Sequence, residues 1–188
     1  MIKHTLNPFR AFFAALMLSF FLLPVGVAQA KGTGEIDASV AAALQSFKKE
    51  VKGANDYLAV AKGVLVMPDV TKVGLVVAAQ WGDGALLVGG KTVDYYKMEV
   101  GSAGFQAGYQ KANFIFIFLT QEALDSFRAS SGWGAGVDAG ITVVDASTPT
   151  MSVDTLKSKS SVVAFVFGKE GLMGGWSGKG TKFTKLKN

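Results

Sequence analysis

The side chains of this sequence that could do chemistry are carboxylates, lysines and hydroxyls. It holds a single histidine, His4, and no cysteine. Zinc sites of the usual kinds, Ser-His or Cys-His nucleophilic catalysis and disulfide chemistry all need one or both of those residues. The acids Asp83, Asp94, Asp138, Asp145 and Asp154 fall singly in turns and at strand ends. A calcium site or a carboxylate pair would therefore have to be made by the fold, and the expectation is no catalysis, no metal and no cofactor. Gly134 to Ala139 spells G-x-G-x-x-A, but a helix pattern precedes it and the β-type run Ile141 to Val144 follows, the reverse of a dinucleotide-binding context. Gly178-Lys179-Gly180-Thr181 has Met173 where a phosphate loop needs its first glycine, and Gly180 where it needs Ser or Thr.

The patterned residues are lysines. Lys48, Lys49 and Lys52 close an apolar stripe, the arrangement of a core-facing helix with a cationic C-terminus and also of a helix lying on an anionic membrane surface. Near the other end, Lys169, Lys179, Lys182, Lys185 and Lys187 face one acid, Glu170, with Leu172, Met173 and Trp176 among them. Lysines guard exposed strand edges against aggregation. They also contribute about 1 kcal/mol each beside an anionic leaflet, where Trp and Leu add apolar burial. Lys62 and Lys72, at strand ends, extend the same basic set.

The elements that must position these lysines follow from hydrophobic periodicity. Ile36, Val40, Ala43, Leu44, Phe47 and Val51 mark one face of a helix, with Asp37 or Ser39 as its cap and Gly53 as its stop. Ala54 to Lys62 reads as a second short helix. Gly63 to Met67, Val73 to Gln80 and Ala85 to Val88 read as three strands, separated by turns at Pro68-Asp69 and Gly82-Asp83-Gly84 and closed by Gly89-Gly90. Thr92 to Met98, Ala103 to Gln110, Gly134 to Val144 and Ser161 to Phe167 follow as further strands. Asn113 to Leu119, apolar on both faces, reads as a central one. Thr120 caps the one helix expected after the opening pair, Ala146 to Ser158 reads as a polar loop, and Gly171 to Trp176 with Thr181 to Leu186 as a terminal hairpin. Many glycines among Val, Leu, Ile and Phe suit close strand contacts and bulges. The fold class is α+β: a strongly curved, mainly antiparallel glycine-rich sheet or partly closed barrel, with N-terminal helices and one internal helix.

The first thirty residues stand apart. Lys3, His4 and Arg10 precede the apolar run Ala11 to Leu23, and Ala28-Gln29-Ala30 supplies a small-residue cleavage site, the three parts of a secretory signal peptide. Cleavage after Ala30 would leave residues 31–188 as one domain of 158 residues, long enough for a real core. The expected location is periplasmic or extracellular, with peripheral membrane association. The leader takes Lys3 and Arg10 from the nineteen basic residues, so seventeen face fourteen acids and the net charge is +3. That excess is too small to argue for nucleic acid.

From about Ala38 to Leu186 the chain resembles the SYLF domain. The resemblance is carried by Ala61-Lys62-Gly63, Pro68, Val70 to Gly74, Gly82-Asp83-Gly84, Ser102 to Gly108, the helix Glu122 to Phe127 and the run Phe167 to Gly175. It implies a non-catalytic lipid-binding module, since the family includes eukaryotic scaffold proteins that bind phosphoinositides and, in yeast, actin, together with exported bacterial members. A basic amphipathic N-terminal region serves membrane binding there. The matching positions here are Lys48, Lys49 and Lys52 beside Phe47 and Val51. The expected site is lysine-rich: Lys48, Lys49, Lys52, Lys62, Lys72, Lys169, Lys179, Lys182 and Lys185, with Leu172, Met173 and Trp176, and the expected partner is an anionic phospholipid surface. The alternative is an envelope or interaction module that presents an apolar patch of its sheet to a protein.

Overall fold

The computed structural model describes residues 32–187 except 75–76, 104–107, 131–132, 136–139, 147–151 and 172–180. The leader and its cleavage site, Leu172, Met173, Trp176 and Lys179 lie outside the described residues, as does the core of the G-x-G-x-x-A run. Helix α1 (Thr33–Glu50) buries Ile36, Val40, Ala43 and Phe47, the stripe its periodicity predicts. Its cap differs from expectation. The helix starts at Gly32 without a side-chain cap, and Asp37, one turn in, accepts hydrogen bonds from Thr92 Oγ1 (3.0 Å) and Tyr95 OH (2.8 Å) on the sheet. The helix ends at Glu50 with Val51 as its C-cap, two residues before the expected stop at Gly53, which at φ 79° is the N-cap of α2 (Ala54–Val60).

Strand β1 (Gly63–Gly74) runs straight through Pro68-Asp69, and β2 (Val77–Val88) through Gly82-Asp83-Gly84, so the three expected strands are two long ones. The misreading has a physical cause. At Pro68-Asp69 the register of β1 slips against both neighbours, Asp69 adopts φ 51°, and its N–H donates to Asn113 Oδ1 (3.0 Å). This is a bulge, which bends a strand without ending it. Gly84 is where the bent strand presses in, since a Cβ there would lie 2.0 Å from the Val66 carbonyl oxygen.

Strands β3 (Lys91–Ala103), β4 (Gly108–Phe118), β5 (Trp133–Ala135), β6 (Ile141–Asp145), β7 (Val162–Gly171) and β8 (Thr181–Lys185) complete the sheet. Its order among the described residues is β5-β8-β3-β2-β1-β4-β7-β6. All pairs are antiparallel except β6 with β7. One expectation is corrected: the run Gly134 to Val144 holds β5 and β6 at opposite edges of the sheet. Strand β8 pairs with β3 and β5, while the first strand of the expected terminal hairpin, Gly171 to Trp176, lies outside the described residues beyond Gly171. The expected polar loop also holds a helix, α4 (Val153–Lys157), whose Ser152 hydroxyl accepts from the Thr155 N–H (3.3 Å) and whose Leu156 is buried.

The sheet is open and strongly curved. Phe183 on β8 and Phe116 on β4 are separated by three strands, about 19 Å apart in a flat sheet, yet their ring centroids lie 5.1 Å apart. Helix α3 (Gln121–Ala129) fills the concave side, with Phe127 against Phe118 (5.0 Å), Tyr96 (4.7 Å) and Phe183 (5.9 Å). Thr120 caps it as expected, accepting from the Ala123 N–H (3.2 Å). On the other face, α1 and α2 cover Val66, Ile115, Ile117, Val163, Phe165 and Phe167. Strand β4 is the central strand read from its two-sided apolarity, each side of it packed on a separate core.

Candidate functional site

Where α1 and α2 meet the start of β1 and the end of β2 they leave a groove of about 470 Å³. Its floor is Leu44, Leu58, Val64 and Leu87, half-buried aliphatics packed on the helix-side core with one side open. The β2–β3 turn, Gly89-Gly90, forms one wall at φ 57° and 78°, and a Cβ at either position would meet open space. Lys48 of α1 and Lys62 of the α2–β1 junction line the same groove, which has no acidic residue in its lining. Both lysines are exposed and neither forms an ion pair among the described residues. Neither helix nor strand alone specifies this groove, and Leu44, Leu58, Val64 and Leu87 were read only as members of their own elements.

The other predicted cations are dispersed. Lys49 and Lys52 are exposed at the end of α1, outside the groove lining. Lys72 is only 8% exposed, in line with Gln80 and Gln110 on the neighbouring strands. Burial pushes its ammonium pKa below the usual lysine value. Lys169 is paired with Asp145. Lys182 and Lys185 are three residues apart on β8 and so point to opposite faces. Lys182 sits opposite Glu99, at the strand end remote from the groove, while Lys185 sits opposite Tyr96 on the concave face. The terminal and N-terminal lysines therefore do not form one surface among the described residues.

Lys185 serves structure. Its Nζ lies 2.5 Å from Asp94 Oδ1, and Arg128 Nε of α3 lies 3.5 Å from Asp94 Oδ2, so one nearly buried carboxylate ties β8 and a helix to β3. Beside it Tyr96 is buried, and its hydroxyl has no hydrogen-bond partner among the described residues. Burial first, and the Asp94 charge second, push its phenol pKa from 10.0 up to about 12. The folded state thus holds this proton more tightly than the unfolded chain, and its contribution is complete below pH 10 and lost as pH rises toward 12. Chemical denaturation across this range should show stability falling by about 2 kcal/mol through Tyr96. Tyr96→Phe should flatten that alkaline limb while leaving neutral-pH stability unchanged or slightly higher, because a buried hydroxyl without a partner is removed. An unchanged alkaline limb would show that Tyr96 does not carry the effect.

Among the described residues no group of three or more His, Cys, Asp or Glu side chains could hold a metal, and no helix is long and apolar enough to cross a membrane. Fold and groove together define an α+β domain with a curved open sheet and a cationic apolar groove. The family model for Ysc84, described as a Las17-binding protein and actin regulator, matches residues 99–188. That part of the chain, from the second half of β3 to the end, is similar to the Ysc84 (SYLF) family, in agreement with the resemblance read from the sequence motifs. The groove is built from residues upstream of the match. No curated protein matches the chain.

Proposed function

We propose that this is an exported, non-catalytic lipid-binding module that docks on anionic phospholipid head groups through the lysines around the α1–α2–β1 groove. The match of residues 99–188 to the Ysc84 family model supports a binding module. The observation that carries the lipid reading is the groove: an aliphatic floor with Lys48 and Lys62 on its lining and no acid beside them. Lys49 and Lys52 extend the positive field from the end of α1. In this reading residues 1–30 direct export and are cleaved after Ala30, so the domain meets the outer face of a membrane. Co-sedimentation with vesicles of phosphatidylcholine and phosphatidylglycerol tests it. Binding should be strong at about 0.1 M salt and fall severalfold at about 1 M, where the screening length shrinks from about 10 Å to about 3 Å. Equal binding to pure phosphatidylcholine, or indifference to salt, would refute it.

A protein-interaction reading is favoured by a different observation. Val73, Trp81 and Tyr109 are 43%, 42% and 49% exposed, and the register Val73↔Tyr109 with Thr71↔Trp81 gathers them on one sheet face at the strand ends remote from the groove. Exposed aromatics grouped on a sheet suit a protein partner. Charges of both signs surround them on that face, Lys111 with Asp69 and Lys182 opposite Glu99, which gives an anionic membrane no electrostatic advantage there.

A further inference from the structure

The groove also indicates which part of a lipid it takes. We infer that it is a site for a single hydrocarbon chain with an anionic end, a long-chain fatty acid whose tail lies over Leu44, Leu58, Val64 and Leu87 and whose carboxylate meets Lys48 and Lys62. The inference rests on the lipid-binding reading and goes beyond docking on head groups at a membrane surface. Three observations carry it. The groove, about 470 Å³, falls within the range of about 300–1,000 Å³ usual for small-molecule sites. Apart from the two lysines its side chains are Leu, Ala and Val, with glycines making up the rest, so no neutral side-chain donor or acceptor lines it. A sugar or glycerol pushed onto the aliphatic floor would lose hydrogen bonds to water with no side-chain partner there to replace them, whereas a hydrocarbon chain has none to lose. The charge is complementary as well: two lysines without an ion pair among the described residues, and no carboxylate in the lining.

The floor is, in physical terms, an unfinished side of the core. Leu44, Leu58, Val64 and Leu87 are packed beneath by buried residues of the helix-side cluster and are partly exposed above. The Gly89-Gly90 turn leaves the space beside it unfilled, since a side chain at either position would project into the open. A chain laid there removes apolar surface from water on both partners.

Titration calorimetry with a series of saturated fatty acids, octanoate to palmitate, tests this on the whole protein below each critical micelle concentration. Each added methylene should tighten binding about fourfold until the groove is full, after which affinity levels off. Dodecanol, which has a tail but no charge, should bind roughly tenfold more weakly than laurate. Ala59→Trp places a large ring in the groove lining from an exposed position of α2 and should abolish the chain-length dependence. Ala59→Asp, a milder change at the same site, should weaken laurate severalfold by placing a like charge beside it. Affinity independent of chain length, or wild-type fatty-acid binding in both Ala59 variants, would overturn the inference. Absence of fatty-acid binding alongside salt-sensitive binding to anionic vesicles would overturn it too and leave surface docking standing. Loss of both would remove both readings.

Discussion

Phe165→Ala should lower the stability of the domain by about 3–5 kcal/mol, the range for removing a buried phenylalanine from a core that cannot collapse around the void. Phe165 has no exposed surface. Its ring centroid lies 5.2 Å from that of Phe47 on α1 and 4.9 Å from that of Tyr57 on α2, and Phe167 adds a third ring 5.5 Å from Phe47. One side chain of β7 thus holds both N-terminal helices on the sheet. Aromatic pairs at these spacings contribute about 0.5–1.5 kcal/mol beyond the area they bury, so the cost should fall in the upper half of the range. For a domain of this size each kcal/mol moves the midpoint by about 2–4 °C, and a thermal melt should drop by roughly 10–20 °C. Phe165→Leu, which keeps most of the volume, should cost about half as much. A fall of less than about 1 kcal/mol on Phe165→Ala would mean that the helices are held mainly elsewhere, through Asp37 on Thr92 and Tyr95 or through Glu50 Oε2, which accepts from the Gly168 N–H (3.2 Å).

The same core shows what one sequence can and cannot convey. Ile36, Val40, Ala43 and Phe47 repeat at helical spacing and are the buried stripe of α1, and Thr120 is the cap it resembles, because stripe and cap depend on residues within one turn of each other. The two-sided apolarity of Asn113 to Leu119 likewise gives the central position of β4. Pro68-Asp69 and Gly82-Asp83-Gly84 read as turns since those residue types usually end strands, but their role is settled by partners distant in sequence. Asn113 receives the Asp69 N–H, and Val66 and Val70 press against the glycines of β2. The separation of β5 from β6, and of β7 from β8, is likewise a matter of pairing that no local pattern encodes. The site follows the same division. Basic and apolar residues at the ends of α1 and α2 were legible, and Lys48 and Lys62 were both named from sequence. That they share one groove depends on Val64, Leu87 and the Gly89-Gly90 turn arriving from the sheet. Lys72 and Lys185 were misleading for the converse reason. As letters they are surface charges, but the curved sheet buries one and the other is tied to Asp94.

Reversing the two groove lysines, Lys48→Glu with Lys62→Glu, should weaken binding to anionic vesicles by about a thousandfold while leaving the fold intact. Each basic residue near an anionic leaflet contributes about 1 kcal/mol, and reversal changes the charge at the contact by four units, so the expected loss is about 4 kcal/mol, or roughly three decades in affinity. Both side chains are exposed and neither has an ion pair to lose among the described residues, so the melting temperature should move little. Two comparisons separate location from total charge. Lys182→Glu removes a cation from the other end of the sheet, opposite Glu99, and should reduce binding only slightly. Lys185→Glu would place a second carboxylate against Asp94 and remove one of its two cations. It should therefore destabilise the fold, through a nearly buried carboxylate left short of partners, more than it weakens lipid binding. If Lys182→Glu were as damaging as the reversal at the groove, the protein would be responding to its overall charge, and a site at the meeting of α1, α2 and β1 would be ruled out.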